Sequence, residues 1–469
     1  MKLSLSLAAY SVLALGVNAA PTADNGNIGF SQFLGDVRNK ANPGPLSKVI
    51  SASSSNGFQI KAVSKEVVNH ITKMYGGIKD ASKVSSFVLN GTYVDCIPVN
   101  EQPTVHSLNI SRIASPPAFV YAPTYPYYAN GSTSGGNYTG GPVPPGVVMH
   151  GAPSVLSLGL KDAFNKSISC PAGTIPMQRL AVDTLARFSS LKDFLAKQQT
   201  GGSGSSGSAA SPRSNNPLSK RAENPHKYAV VADYVTNFGG NSWLSIWKPK
   251  AWFSISQQWY TVRNPQQTVE GGWTVNHSKW DAQPRLFIFY TPDGYKSGCW
   301  NLECPGFVQT TNTWLLGGPF LHYSVPGGAQ WGFQMQWKLY RGNWWLFLQG
   351  ANRYLEPVGY YPAIVYGNGP ITKNATLAEY GGETAANSTK IYGEMGSAQF
   401  PAETDRLEYH NTVAYQSNVY TAPREESSQG EWAKLGGQIV SKAACYGLMV
   451  NSARHYFYFG GTGGTTTTC

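Results

Sequence analysis

Hydrophobic and polar residues alternate in several short segments of the second half of the chain. The segments WLSIWKP, FSISQQWYTV, RLFIFYT and QWGFQMQWKLY are rich in aromatic and β-branched residues and are separated by glycine and proline. This pattern predicts short antiparallel strands. The tripeptide Arg341–Asn343 predicts a hairpin turn that leads into WWLFLQG. Many such strands in succession predict an all-β fold, either a sandwich or a barrel.

The first half of the chain has a different pattern. The segments SKEVVNHITKMYGGIKDASKV and PMQRLAVDTLARFSSLKDFLAKQQ space their apolar residues as helices do, whereas residues 117–150 are rich in Pro, Tyr and Gly. All 13 tryptophans lie between Trp243 and Trp432. We therefore predict two regions: a mixed, partly helical N-terminal region and an all-β C-terminal region.

A Gly/Ser-rich segment separates the two regions and ends in the dibasic pair Lys220-Arg221. Such a segment is typical of a flexible linker, and a dibasic pair in an exposed linker is a processing site for secretory proteases. The first 19 residues combine Lys2, an apolar run and small residues before the cut, which is typical of a signal peptide. We expect a signal peptide at 1–19, a propeptide at 20–197, the linker at 198–221 and a mature domain at 222–469.

Other features of the sequence agree with export from the cell. The six cysteines are an even number, and we expect the disulfides Cys96–Cys170, Cys299–Cys304 and Cys445–Cys469. Eight Asn-X-Ser/Thr sequons are glycosylation candidates: Asn90, Asn109, Asn130, Asn137, Asn165, Asn276, Asn374 and Asn387. No segment is long and apolar enough to span a membrane, so we expect a secreted, extracellular protein without a membrane partner.

Composition and motifs narrow the possible chemistry. The formal net charge is +11, but secretion argues against nucleic acid as the partner, and no metal-ligand motif or cofactor motif occurs. No G-x-S-x-G motif occurs, and paired cysteines cannot act as thiol nucleophiles. Two glutamates, Glu270 in TVEGGW and Glu383 in EYGGETA, each adjoin a glycine pair that would let a substrate backbone approach closely. Glu303 and Glu408 are interpreted as ordinary surface acids.

Several motifs together resemble the neprosin family of secreted glutamic peptidases. The matching stretches, in order, are HKYAVV, TVEGGWTV, GYKSGCWNLECPGFVQ, YGGE, MGSAQFP and CYGLMV with YFYFGGTGG. They span nearly all of residues 226–469, and LNGTYVDCIPVNEQP resembles the family's activation-peptide motif. The sequence departs from the family pattern at Gly271 and Tyr380, and residues from about 105 to 200 have no recognised counterpart.

The resemblance implies an antiparallel β-sandwich, cleavage after proline, and catalysis by Glu270 and Glu383. One glutamate would activate water, and the other would donate a hydrogen bond to the oxyanion at acidic pH. Either glutamate could have either role. Trp273 and Tyr380, near the two acids, are candidates for an aromatic proline pocket, although both also suit the core. The expected partners are peptide or protein substrates, with proline-rich chains as candidates, and the propeptide as inhibitor. The alternatives are a retaining glycosidase and a lectin-like module.

Overall fold

A computed structural model describes most of both regions of the chain. The described residues are 29–41, 63–80, 83–89, 92–117, 170–180, 182–185, 187–188, 190–197, 226–349, 355–386, 389–401, 412–426 and 430–469. The expected signal peptide, the linker and the Lys220-Arg221 pair lie outside these residues.

Helices are confined mainly to the N-terminal region. The α-helices are α1 (Phe30–Ala41), α2 (Lys65–Tyr75), α3 (Pro103–Ser107), α4 (Val182–Leu185) and α5 (Leu191–Leu195). Short 3₁₀ turns cover Val99–Glu101, Ala363–Tyr366, Pro370–Thr372 and Ser452–Arg454. Helix α2 begins where predicted, because the Ser64 hydroxyl accepts a hydrogen bond from Val67 N at 3.3 Å.

Strands form most of the C-terminal region. The N-terminal region contributes β1 (Ser85–Leu89), β2 (Thr92–Pro98) and β3 (Thr174–Gln178). The C-terminal strands are β4 (His226–Asp233), β5 (Gly239–Ser245), β6 (Phe253–Arg263), β7 (Gln266–Asn276), β8 (Arg285–Thr291), β9 (Cys299–Trp300), β10 (Val308–Gln309), β11 (Gly332–Tyr340), β12 (Asn343–Gln349), β13 (Leu355–Tyr361), β14 (Leu377–Ala385), β15 (Ile391–Tyr392), β16 (Ala414–Thr421), β17 (Glu431–Trp432), β18 (Gly437–Val440), β19 (Gly447–Asn451), β20 (Tyr456–Gly460) and β21 (Gly464–Thr465).

Two antiparallel sheets of the C-terminal region pack face to face as a sandwich. One sheet has seven strands in the order β18-β4-β14-β6-β7-β8-β9. The other has nine, in the order β10-β13-β12-β11-β5-β16-β20-β19, with β17 paired to β16. The predicted hairpin joins β11 to β12 through Arg341 and Gly342, which both have positive φ as a tight hairpin turn requires. The predicted fold class is confirmed.

The main hydrophobic core lies between the two sheets. Val269, Trp273 and Ile288 from the seven-stranded sheet pack in one cluster with Met335 and Trp337 from the nine-stranded sheet, and all are buried. Because neighbouring residues of a strand point to opposite faces, every second residue of β7 faces this core. The residues between them, including Glu270, face away from it.

The N-terminal region has a core of its own and contacts the sandwich at several places. Helices α1 and α2 pack with β2 and β3 around residues such as Val67 and Ile71. Val105 packs on Trp345 and Tyr360, which lie on the outer face of the nine-stranded sheet. The end of this region, at Ala196 and Lys197, contacts Trp300 and Trp259 on the outer face of the seven-stranded sheet. Part of the unmatched region at about 105–200 therefore lies against the sandwich.

One predicted helix is wrong in part. The segment that begins at Pro176 was expected to be helical, but its first residues belong to β3, and only α4 and α5 are helical. Strand β3 pairs with β2, with Pro176 opposite Cys96. This long-range pairing, joined by the Cys96–Cys170 disulfide, overrides the local helical spacing.

The structure contains the three expected disulfides. Cys299–Cys304 closes a short loop after β9, and Cys445–Cys469 ties the C-terminal tail to the last strands. Among the described residues, no helix is long and apolar enough to cross a membrane.

Candidate active site

Glu270 and Glu383 lie on strands that flank the same central strand of the seven-stranded sheet. Glu270 of β7 is opposite Trp259 of β6, and Glu383 of β14 is opposite Ile255 of β6. Gln257 lies between these two β6 residues. Since alternate residues of a strand share a face, all these side chains point away from the sandwich core. The sheet thus brings two acids that are distant in sequence to one surface.

The two carboxylates meet on a single ammonium group from the N-terminal region. Lys197 Nζ lies 2.5 Å from Glu270 Oε2 and 3.1 Å from Glu383 Oε2. The exposed fractions are 8% for the Lys197 side chain, 0% for Glu270 and 2% for Glu383. A buried ion pair of this type is costly to break, because either partner would be left as an unpaired buried charge.

Glu270 accepts three further hydrogen bonds from neutral groups. The Tyr295 phenol donates to Oε1 at 2.6 Å, and the Thr268 hydroxyl donates to the same oxygen at 2.7 Å. The Gln257 amide donates to Oε2 at 3.2 Å. These donors fix the carboxylate so that Oε2 is the oxygen turned toward Lys197 and Glu383.

Glu383 has a different set of partners. Its Oε1 contacts His226 Nδ1 and lies 3.5 Å from the Tyr228 phenol. Burial raises the pKa of Glu383, but Lys197 and His226 outweigh burial and lower it from 4.5 to about 2. Burial likewise lowers the pKa of Lys197, and the two glutamates raise it overall. Glu383 and Lys197 are therefore both charged in this arrangement at neutral pH.

Local packing places Lys197 at this position. Helix α5 is capped by the Ser190 hydroxyl, which accepts from Asp193 N at 3.1 Å. The next residues leave the helix, and the Trp300 indole donates to Ala196 O at 2.9 Å. Lys197 Nζ then lies 5.2 Å from the ring centre of Trp259 and 5.9 Å from that of Tyr295. Both distances allow a cation–π interaction.

Trp273 and Tyr380, the candidates for a proline pocket, do not face the two acids. Both are fully buried in the core between the sheets. The Trp273 indole donates to Ser245 O, and the Tyr380 hydroxyl donates to Tyr420 O. Each lies three residues from its glutamate on the same strand, and an odd spacing places two side chains on opposite faces. The pocket prediction for these two residues is wrong. The odd spacing in the sequence was sufficient to place them on the face opposite to the glutamates.

The glycine pairs also have a role other than the one expected. A Cβ on Gly272 would lie 2.0 Å from Ser256 O, and one on Gly381 would lie 2.4 Å from Ala229 O. Gly381 in addition has a backbone φ of +140°, which residues with a side chain rarely adopt. The glycines are therefore required by the close approach of neighbouring strands of the protein itself.

Two further expectations about single residues need correction. Glu303 is not a surface acid, because its side chain is 8% exposed and Oε2 lies 2.5 Å from the buried Lys279 Nζ. Asn276 is a poor glycan acceptor, because it is buried and its Oδ1 accepts hydrogen bonds from Ser278. Asn109 is exposed and Asn374 half-buried. Glu408 and the sequons at Asn90, Asn130, Asn137, Asn165 and Asn387 lie outside the described residues.

Sequence reasoning missed the residues that surround the two acids. Thr268 could have been found, because it lies two residues before Glu270 and so shares its face. Lys197 could not, because its contact with Glu270 spans 73 residues and depends on how two regions pack.

Among the described residues, no group of three or more His, Cys, Asp and Glu side chains is arranged to hold a metal ion.

Two solved structures of one peptidase align with half of this chain at low identity. Scytalido-glutamic peptidase with a transition state analog inhibitor aligns with 50% of this chain and 97% of its own, at 7% identity and a TM-score of 0.28. The same peptidase with a peptide-based transition state analog aligns over the same shares, at 7% identity and a TM-score of 0.26.

The family comparison is more specific, and it covers both strands that carry the glutamates. The Neprosin family model matches residues 250–462, which include β7 and β14. This match supports a peptidase. Residues 250–462 of this chain therefore form a domain of the neprosin family.

Proposed function

We propose that the protein is a secreted glutamic endopeptidase that is made as an inactive zymogen. The observation that carries the proposal is the convergence of Glu270 and Glu383, on separate strands, upon one buried nitrogen. The neprosin match to residues 250–462 supports the same class of enzyme. The domain boundaries proposed are a signal peptide at 1–19, a propeptide at 20–197, a linker at 198–221 and a catalytic domain at 222–469.

The chemistry follows from what replaces Lys197 when it leaves. A water molecule at the place of Nζ would lie within hydrogen-bond distance of both Oε2 atoms. One carboxylate takes a proton from this water as the water attacks the scissile carbonyl. The other, protonated, donates a hydrogen bond to the oxyanion. Two nearby carboxylates share one proton most readily in acid, so activity is highest below neutral pH.

The aromatic groups beside the two acids suit a substrate with proline before the cleaved bond. Trp259 and Tyr295 lie beside Lys197 Nζ, on the same face as the glutamates. They take the place of Trp273 and Tyr380 as candidates for the proline pocket. An aromatic wall fits a proline ring, which offers apolar surface and no polar group on its side chain.

Lys197 is the proposed cause of latency. It occupies the position needed for water and forms ion pairs with both acids. The segment that carries it lies over the face on which substrate would bind. Cleavage at Arg221 cuts the linker after Lys197, so it removes only the covalent tether. The propeptide is then held to the catalytic domain by non-covalent contacts alone, and it dissociates when these contacts weaken. N-terminal sequencing of the secreted protein identifies the cut: Ala222 first indicates a dibasic processing protease, and Leu218 or His226 first indicates self-cleavage after proline.

The proposal is tested with two substrates for one processed protein. The mature protein is incubated at acidic pH with a proline-rich protein and, separately, with a β-glucan, and the products are identified by mass spectrometry. We expect peptides with proline at their new C-termini and an unchanged glucan. Peptides without this preference would overturn the specificity. Release of sugar without release of peptide would overturn the peptidase class in favour of a glycosidase, and the absence of both products would overturn the proposed activity.

A further inference from the structure

Tyr295 lies in a short loop whose backbone is held in an unusual conformation. The loop between β8 and β9 is fastened by the Thr291 hydroxyl, which accepts from Tyr295 N at 2.8 Å and donates to Ser297 O at 2.7 Å. Asp293 accepts from Ser297 N at 2.8 Å. Tyr295 itself has φ +66°. A bulky residue in this left-handed region is uncommon, and such conformations concentrate at functional sites.

The loop delivers the Tyr295 side chain to one oxygen of Glu270. The ring stacks on Phe289 with the ring centres 6.2 Å apart, and Phe289 is opposite Glu270 in the sheet. From there the phenol donates to Glu270 Oε1 at 2.6 Å. Burial, followed by the charge of Glu270, raises the pKa of Tyr295 well above its ordinary value. The phenol therefore keeps its proton and donates a hydrogen bond at neutral and acidic pH.

The division of donors between the two oxygens of Glu270 gives this contact a function. Tyr295 and Thr268 both donate to Oε1, whereas Oε2 receives the Gln257 amide and the Lys197 ammonium. When Lys197 leaves, Oε1 remains occupied by two hydroxyl donors. Oε2 keeps one donor and has capacity to accept another. The carboxylate thus has one anchored oxygen and one oxygen available for reaction.

We propose that Tyr295 is a positioning residue, which anchors Glu270 through Oε1 so that Oε2 faces the reacting water. This inference rests on the proposed function of the Glu270–Glu383 pair. Tyr295 acts through Glu270, and its hydroxyl is needed for the orientation and the ionisation of that carboxylate. Thr268, the second donor to the same oxygen, supports it from the same strand face.

The test uses Tyr295→Phe, which keeps the ring and removes the hydroxyl. We measure kcat, KM and the pH profile of the processed protein on a proline-containing peptide. We expect kcat to fall roughly 10- to 100-fold, with little change in KM because the ring remains. The acidic limb of the profile should move to higher pH, since a carboxylate with fewer donors keeps its proton to higher pH. Tyr234→Phe, which alters an exposed tyrosine, is the matched control and should leave all three unchanged.

Two further variants make each outcome decisive. Thr268→Val removes the second donor at similar volume and should shift the acidic limb in the same direction. It provides the test if Tyr295→Phe does not fold. Normal kcat and an unchanged pH profile in Tyr295→Phe would overturn the role of Tyr295. If that variant does not fold, the same result in Thr268→Val would overturn the anchoring of Glu270 through Oε1. Glu270→Gln separates the two proposals: if it abolishes activity while Tyr295→Phe is normal, only the positioning role fails, and if it remains active, the glutamate mechanism itself fails.

Discussion

The latency proposed for Lys197 predicts that one substitution, at this residue, activates the uncleaved chain. Lys197→Met keeps the length and the apolar stem of the side chain but removes the charge. Glu270 and Glu383 are then left buried beside an apolar group, so the closed arrangement loses stability relative to the open one. We expect measurable peptidase activity without cleavage of the linker.

The size of the effect can be worked from two properties of the structure. Removing one partner from a buried ion pair costs about 3 to 5 kcal/mol, which is a factor of roughly 100 or more in the ratio of open to closed molecules. The lowering of the pKa of Glu383 from 4.5 to about 2 corresponds to about 3 kcal/mol. That second figure includes a contribution from His226.

The same pKa gives the pH dependence of latency. Because the pKa of Glu383 is lowered in the closed zymogen, its contribution to closure is fully present above the ordinary carboxyl pKa of 4.5. The contribution is lost as the pH falls from there toward 2. The unsubstituted zymogen should therefore be latent near neutral pH and open progressively in acid. Lys197→Met should largely remove this dependence.

The assay uses the full chain with Lys220→Ala and Arg221→Ala, which prevent dibasic processing. Initial rates on a fluorogenic proline peptide are measured at about pH 5, where closure is still expected, and gel electrophoresis verifies that the chain is intact. Lys192→Met is the matched control, because Lys192 lies in the same segment but is exposed on α5; this variant should remain latent. If Lys197→Met is as latent as its parent, the ion pair is not what keeps the zymogen closed.

Three remaining predictions concern the core, the substrate face and the close contact between strands at Gly272. Trp273→Ala should lower the free energy of unfolding by about 3 to 5 kcal/mol, measured by chemical denaturation, because Trp273 is fully buried between the sheets. Trp259→Ala should instead raise KM for a proline peptide more than for an alanine peptide, and equal changes for both peptides would remove Trp259 from the pocket. Gly272→Ala should lower the melting temperature of the domain more than Gly436→Ala does. A Cβ on Gly272 would overlap a carbonyl oxygen of the next strand, whereas a Cβ on Gly436 would enter open space. Equal melting temperatures of the two variants would contradict this prediction.

Local patterns in the sequence predict much of the fold and less of the site. Alternation predicts the strands and the hairpin at Arg341, because both depend on residues close in sequence. The same alternation, applied to the spacing of three between Glu270 and Trp273, would have placed the tryptophan in the core. The surroundings of Glu303 were not predictable in this way, because its charge is compensated by Lys279 from a separate segment.

The contacts made by the N-terminal region depend on tertiary packing. Nothing in the residues around Lys197 distinguishes its side chain from that of Lys192, which lies earlier in the same segment and is exposed. Its role appears only when α5 lies on the outer face of the seven-stranded sheet. Similarly, β3 forms because β2 is available for pairing, although its sequence has helical spacing.

The most direct test of the account is the kcat of Glu270→Gln, Glu383→Gln and the double variant on a proline-containing peptide at acidic pH. Glutamine keeps the size of the side chain and most of its hydrogen bonds but cannot exchange a proton. If the pair is one catalytic unit, each single substitution should lower kcat by about a thousandfold or more, and the double substitution should cost little more. Glu426→Gln, an exposed acid, should retain full activity in the same preparation. Near-parental cleavage by both single variants would contradict the assignment of Glu270 and Glu383 as the catalytic pair.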